Sequence, residues 1–230
     1  MARSPTKPNT SPTPSRLAPR APSGSNQPHN PPATTRILTR PELPADTTHL
    51  ARFLIGKLLV RHLPEGIAAG RIVETEAYPI GDEAGHAYRG ITQRNRALFL
   101  ERGHAYVYLA YGISFMLNVS SEAPGIGAGV LIRAIEPTAG IALMQQNRGI
   151  ERLRDLARGP GRLAATLRID RDLDGVDLCH LGPLYLAADN HPPPEIAHGK
   201  RIGITRAPDS PLRFYVRNNP YVSGLHSLNT

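Results

Sequence analysis

The sequence predicts one α+β domain, a curved, largely antiparallel sheet with flanking helices and a projecting β-hairpin. Three observations carry that expectation. Strand-like runs cluster without regular alternation with helices, which argues against repeated βαβ units. The stretch "HAYVYLAYGISFMLNVS" (104–120) reads as two strands joined by a turn that includes Tyr111 and Gly112. At 230 residues the chain can bury a real core, and it shows no internal repeat.

Residues 1–36 are rich in Pro, Ser and Thr and carry too little apolar surface to offset the entropy of ordering, so a disordered tail is expected there. The folded domain is expected over 37–230. It opens with "DTTHLARFLIGKLLV", where polar caps precede Leu50, Phe53, Leu54 and Leu58 at helical spacing. Strands are expected in "GRIVETEAY", in the two hairpin arms and in "GVLIRAIEP". "TAGIALMQQNR" and "RLRDLAR" read as helices, and "GPGRLAATLRI" as a tight turn feeding another. The chain returns to strands in "KRIGITR" and "LRFYVRNNPYV".

Net charge is +8, an imbalance that suits a polyanionic partner such as nucleic acid. It is unevenly spread. Arg3, Lys7, Arg16, Arg20 and Arg36 give residues 1–36 a charge of +5 with no acid. The remaining 22 basic and 19 acidic residues leave 37–230 at +3, only modestly basic. The single cysteine, Cys179, excludes an internal disulfide and a thiolate zinc cluster; it fits a reducing compartment and reads as a buried apolar filler. No apolar run is long enough to span a membrane, and the N-terminus lacks the apolar core of a secretory signal. That terminus is basic and acid-free like an organelle transit peptide, but its prolines oppose the amphipathic helix such peptides form.

Chemistry concentrates in "RIVETEAYPIGDEAGHAYRG" (71–90). Read with period two, Val73, Thr75 and Ala77 share one face, and Glu74, Glu76 and Tyr78 the other. At about 3.3 Å per residue the two carboxylates stand roughly 6–7 Å apart. Burial of two such anions tends to raise the proton affinity of at least one. Two readings follow: an edge strand with a solvated polar face, or an active-site strand with an acid or base, an aromatic platform and a ligand-handling loop. Five of the eight tyrosines lie between Tyr78 and Tyr111, in a chain without tryptophan. Tyr106 and Tyr108 fit half-buried sheet positions, whereas Tyr111 at a hairpin tip suits a wedge in a base stack. An enzyme acting on a base inside a duplex must swing it out and hold it between flat side chains. Tyr78 and His86 can form such walls, with Glu76 beside them to activate water.

Eight motifs in order, "VETEAY", "DEAGHAYRG", "TQRNRALF", "YVYLAYG", "NVSS", "VLIRAIEP", "GPGRL" and "PLRFYVRNNPYVS", then make the chain recognisable. It resembles the alkyladenine (3-methyladenine) DNA glycosylase family of the mammalian type, which also occurs in bacteria, from about Ile37 to Gly224. The resemblance implies that 37–230 is a glycosylase catalytic domain, monomeric and without cofactor. Its implied partner is double-stranded DNA containing damaged purines of the 3-methyladenine, 7-methylguanine, hypoxanthine and ethenoadenine class, with no membrane role. The implied reaction is hydrolysis of the N-glycosidic bond by an activated water, leaving an abasic site. Glu76 matches the family's general base, Arg133 the arginine that helps hold the attacking water, and Ile202 its backbone-carbonyl partner. Tyr78 and His86 match the aromatic walls of the base pocket, and Tyr106 and Tyr108 further pocket tyrosines. The backbone near Ala84 would meet the purine edge, and Asn118 matches the residue that disfavours the exocyclic amine of guanine. Tyr111 matches the residue that fills the gap left by the flipped nucleotide. Ile113 stands where mammalian members carry a second wedge, a methionine, and the Tyr78–His86 loop is one residue shorter than theirs. The expected location is the nucleoid of a bacterial cytoplasm, or the nucleus in a eukaryote.

Arg94 and Arg96 in "RNR", and Gly161 and Arg162 in "GPGRL", can place guanidinium groups and a helix N-terminus against phosphates, or form a solvated basic surface. Glu74 reads as an acid behind the site or in solvent, and Arg213 and Arg217 as strand residues that either pair structurally or touch DNA. Asp82, Glu83, His86 and His104 lack compact ligand spacing, so no metal site is expected. Two other functions stay open. A non-catalytic nucleic-acid-binding module on the same scaffold would be favoured by the lack of an acid at position 76, and a metal-dependent hydrolase is tested by chelation.

Overall fold

The computed structural model describes residues 1–2 and 35–224. Most of the expected tail lies outside the described residues, and Arg36, its last member, already belongs to a strand. Among the described residues the strands are β1 (Arg36–Ile37), β2 (Leu58–Leu63), β3 (Gly66–Tyr78), β4 (Ala105–Ala110), β5 (Ser114–Ser120), β6 (Gly129–Ala139), β7 (Leu184–Ala188), β8 (Ile196–Gly199) and β9 (Arg213–Val216). They form one 9-stranded sheet in the order β1-β7-β2-β3-β6-β5-β4, with β9 added on β3 and β8 on β9. Every pairing is antiparallel. The helices α1 (Thr47–Leu54), α2 (Ile141–Arg148) and α3 (Pro160–Thr166) complete the α+β architecture that the scattered strand signals predict.

The 13-residue β3 organises the sheet. Along one edge it pairs with β6 from Ala69 to Tyr78. On the other edge it pairs with β2 up to Arg71, then with β9 over Glu74–Glu76. Register shifts against β6 flank Glu74, and such bulges sharpen local twist, which lets one strand serve two neighbours. β3 is therefore central, and the edge-strand reading with a solvated polar face is overturned: Glu74 and Glu76 are both 0% exposed. The bulge also breaks the expected alternation. Val73 packs with Ala134, Tyr215 and Val222, whereas Ala77 joins the main core and the Thr75 hydroxyl donates to the Ala51 carbonyl at 2.9 Å.

Helix α1 is capped by Asp46, whose side chain accepts from His49 N–H at 2.8 Å, and it buries Leu50, Ala51 and Leu54. It stops before Gly56, which takes a positive φ of 86°. Leu58, predicted as a fourth helical contact, instead starts β2. The run Leu58-Leu59-Val60 is buried on both faces of the sheet, and periodicity alone does not separate such a run from helix. "RLRDLAR" forms only one 3₁₀ turn, Leu153–Asp155. Pro160 two residues beyond it opens α3, and the residue before a proline, Gly159 at φ 132°, is driven out of the helical region. "KRIGITR" forms no strand; the strand lies just before it, in β8, and the segment's backbone groups serve the site instead. β7 is an addition the sequence reading lacks. The main core includes Leu50, Leu54, Leu117, Ile132 and Leu163, and Cys179 is buried in it as a free thiol. Among the described residues no helix is long and apolar enough to cross a membrane.

Candidate active site

Both carboxylates of β3 turn toward Arg133 of β6, one strand away. Arg133 Nε donates to Glu74 Oε1 at 3.0 Å, and its Nη1 lies 3.1 Å from Glu76 Oε1. Glu74 also accepts from Arg213 Nε at 2.6 Å and from Ser223 N–H at 2.8 Å. It is thus a buried acid behind the site, and the solvated alternative is wrong. Burial alone would raise its proton affinity, but Arg133, Arg213 and Ser223 outweigh that and hold it below the ordinary carboxylate value, the reverse of the repulsion expected between two anions. Arg133 is desolvated too, yet Glu76 and Glu74 push its pKa above the usual arginine value. Arg213, at 1% exposure, is structural, and Arg217 pairs with Glu195 at 2.7 Å.

Three donors hold Glu76. Oε1 accepts from Ile202 N–H at 2.7 Å besides facing Arg133, and Oε2 accepts from the Tyr78 hydroxyl at 2.9 Å. A carboxylate offers about four acceptor positions, so room for one further donor remains, on Oε2. Ile202 contributes its other backbone group as well: its carbonyl accepts from Arg133 Nη1 at 3.5 Å. Burial first, then the Glu76 charge, raises the Tyr78 phenol far above its usual value, so it stays a donor.

These groups stand at the floor of a cleft of about 560 Å³ lined by Tyr78, Ala84, His86, Tyr106, Tyr108, Tyr111, Asn118, Arg133 and Ile202. The structure therefore brings the expected pocket residues together, with Glu76 just beneath them. One wall is an aromatic cluster. His86 and Tyr108 have ring centroids 4.3 Å apart, Tyr106 stacks on Tyr108 at 5.4 Å, and His86 Nδ1 lies 2.9 Å from the Tyr106 hydroxyl. Burial and, second, Arg94 lower the His86 pKa. Burial raises those of Tyr106 and Tyr108. Tyr106 is 1% exposed, more deeply set than a half-buried sheet residue. Asn118 is buried at the cleft, its Nδ2 on the Tyr106 carbonyl at 3.3 Å.

Tyr111 stands 90% exposed at the hairpin tip and lines the cleft mouth. Ile113, 83% exposed, stands two residues further along the same tip and lines a second groove beside α3. Arg94 is exposed and lies 5.9 Å from the Tyr108 ring centroid, while Arg96 is an exposed residue of the 3₁₀ turn Arg96–Phe99. Gly161 has a packing role: a Cβ there would stand 2.8 Å from Ser114 Cβ, so α3 and β5 meet only because it is glycine. Arg162 is half exposed and 3.8 Å from Asp155. His104 is remote from Asp82 in its bonding, its Nδ1 2.7 Å from the Glu101 carbonyl, whereas Asp82 pairs with Arg201.

Two functional residues escape sequence reasoning. Asn95 is buried inside the "RNR" run and clasps the wall loop, with its Nδ2 donating to the His86 carbonyl at 2.8 Å and the Gly90 carbonyl at 3.0 Å. Arg201, adjacent to Ile202, is buried against Tyr78 with its guanidinium carbon 4.7 Å from the ring centroid. Its only signal is that neighbour.

Comparison with known proteins agrees with this geometry. The family model for methylpurine-DNA glycosylase matches residues 42–220. A Mesorhizobium japonicum protein named "Putative 3-methyladenine DNA glycosylase" is 70% identical over 191 residues, covering 83% of this chain and 92% of that one. Proteins of the same name from Paraburkholderia phytofirmans and Methanoculleus marisnigri are each 49% identical, covering 83% and 77% of this chain and 90% and 94% of theirs. With a buried acid, its arginine and an aromatic-walled cleft in register with that match, the chain belongs to the methylpurine-DNA glycosylase family.

Proposed function

We propose that the protein binds double-stranded DNA as a monomer, flips out an alkylated or deaminated purine, and hydrolyses its N-glycosidic bond. The substrate class is 3-methyladenine, 7-methylguanine, hypoxanthine and ethenoadenine. The base enters between Tyr78 and the His86–Tyr108 wall, with the backbone near Ala84 at its edge and Asn118 against the amine of undamaged guanine. Tyr111 fills the gap left in the stack. Water, held by Arg133 and the Ile202 carbonyl, gives its proton to Glu76 as its oxygen bonds to the sugar's anomeric carbon. The carbon–nitrogen bond breaks with its electron pair on the base: cationic 7-methylguanine and 3-methyladenine leave neutral, whereas hypoxanthine and ethenoadenine take up one proton from solvent, and an abasic site remains. No metal or cofactor takes part in this step. Arg94, Arg96 and Arg162 serve as phosphate contacts.

The observation that supports this reading most is Glu76, fully buried and bonded to Tyr78, Ile202 and Arg133, three residues that line the cleft. A well-placed base contributes about 10²–10⁴ in rate, or about 3–5 kcal/mol of barrier. Glu76→Gln is expected to abolish excision while binding to a lesion duplex stays largely intact. Single-turnover assays on duplexes each carrying one of the four lesions check this, and a rate above about a tenth of wild type removes Glu76 from the role.

A further inference from the structure

Against the Tyr78 ring lies an ion pair that the reaction described above does not use, between Asp82, which is part of the cleft lining, and Arg201, which is not. Arg201 and Asp82 have side chains only 0% and 4% exposed. Both terminal nitrogens of the Arg201 guanidinium reach the carboxylate: Nη1 bonds Asp82 Oδ2, and Nη2 lies 3.1 Å from Oδ1. Nη1 also donates to the Ala77 carbonyl at 3.0 Å, in the residue between Glu76 and Tyr78. The guanidinium carbon lies 4.7 Å from the Tyr78 ring centroid. Asp82 in turn accepts from Ala84 N–H at 3.0 Å, shaping the loop that lines the cleft.

One guanidinium thus joins three parts of the site: the aromatic wall, the wall loop, and the segment whose next residue, Ile202, bonds Glu76. The arrangement is expensive to hold. Two charges are desolvated, and Arg201 Nε is buried without a partner among the described residues. A buried ion pair is weak evidence of stability for its own sake, and what this one supplies is geometry. Tyr78 is fixed at its back by Arg201 and at its hydroxyl by Glu76, leaving its other face for the base.

We infer that Asp82 and Arg201 are a positioning pair, which sets the Tyr78 ring and the Ile202 backbone at the places the bound purine and the water require. The inference rests on the glycosylase reading. Because Arg201 is outside the cleft lining and the Asp82 carboxylate, 4% exposed, is occupied by Arg201 and Ala84 N–H, loss of the pair acts on the rate of the bound complex more than on DNA affinity. Misplacement by about 1 Å costs on the order of a hundredfold in rate, which bounds the effect.

The test uses the full chain and a duplex with a single 7-methylguanine, comparing wild type with Asp82→Asn, Arg201→Lys and the double variant. Asp82→Asn keeps the acceptor for Ala84 N–H and removes the charge; Arg201→Lys keeps the charge and removes the two-pronged contact. Single-turnover rates at saturating enzyme, scaled to the folded fraction, are read beside Kd from anisotropy. Each single variant is expected to lose roughly tenfold to a hundredfold in saturating rate with Kd within about threefold, and the double variant no more than the slower single one. Rates within about twofold of wild type overturn the inference, as does a loss confined to Kd. If Asp82→Asn does not fold, the Arg201→Lys split decides alone. A wild-type chain that releases no base, on this or any of the other three lesions, fails the glycosylase reading itself.

Discussion

A histidine in a base-binding wall has to settle its charge before it can stack. Cationic bases such as 7-methylguanine are repelled by an imidazolium and attracted by a neutral ring face. Burial, then Arg94, lowers the His86 pKa from 6.5, so the neutral ring persists to lower pH than in a free imidazole. The linkage follows from that direction. Between the folded and the unfolded values, the unfolded chain binds more protons. The His86 contribution to stability is therefore full above the unfolded value and is lost as pH falls through the window below it. Histidine NMR should find a His86 midpoint below 6.5, moving upward in Arg94→Gln as one repelling charge is removed. A midpoint at or above 6.5 in the wild type would contradict the neutral wall. Glu74 follows the opposite chemistry of a depressed acid. Its stabilising pairs persist above the unfolded carboxylate value and are lost only as pH falls through its lowered folded one. No local pattern could have revealed those pairs, because Arg133, Arg213 and Ser223 come from distant segments of the chain.

The hairpin formed by β4 and β5 shows what an element adds to a residue. Its turn closes with Ile113 N–H on the Ala110 carbonyl at 2.9 Å, and its two central residues, Tyr111 and Gly112, have φ of 51° and 71°. Two positive φ values match the sign pattern of a primed hairpin turn, which glycine accepts freely. For tyrosine the left-handed region costs roughly 1–2 kcal/mol, so the ring is held at the tip against backbone preference. Two substitutions separate the terms. Tyr111→Ala forfeits stacking worth roughly 1–3 kcal/mol, or about fivefold to over a hundredfold in the flipping equilibrium. Tyr111→Asn forfeits the same stacking but relieves the turn, so its thermal midpoint should match or exceed that of wild type. Fluorescence of a reporter base at the lesion follows flipping, and an unchanged equilibrium in both variants reduces Tyr111 to a surface residue. The hairpin was legible because its signals are local: alternating strands, a glycine, a short turn. β3 and β6 were legible for the same reason. "KRIGITR" misled because an alternating apolar pattern looks the same whether its backbone pairs with a strand or, as at Ile202, with a carboxylate. "RLRDLAR" misled because a following proline can stop a helix that spacing alone would allow.

At the scale of the whole molecule, the question is how a body of modest charge holds a polyanion. The cleft itself was legible largely through resemblance, since its residues come from β3, β4, β5, β6, α3 and the turns and loops between elements, which no single-segment pattern joins. Charge, by contrast, is additive and can be read directly. Residues 3–34 carry Arg3, Lys7, Arg16 and Arg20 with no acid, and they lie outside the described residues. Arg36 is different. It pairs with Ala188 in the sheet and lies 2.7 Å from Glu42, so a clean truncation keeps it. Deleting residues 2–34 should leave the single-turnover rate at saturating enzyme unchanged, because Tyr78, Arg133 and Ile202, the partners described for Glu76, are all retained. DNA affinity should fall, and most at low salt. Each cation that neutralises a phosphate contributes about −0.9 to the slope of log K against log salt, so four cations account for at most about 3.6 of it. Affinities measured across a salt series for both chains give that difference directly. A larger change would mean that the deletion disturbs the folded body, and a truncated chain that binds tightly yet fails to excise would give the segment a part in the chemistry.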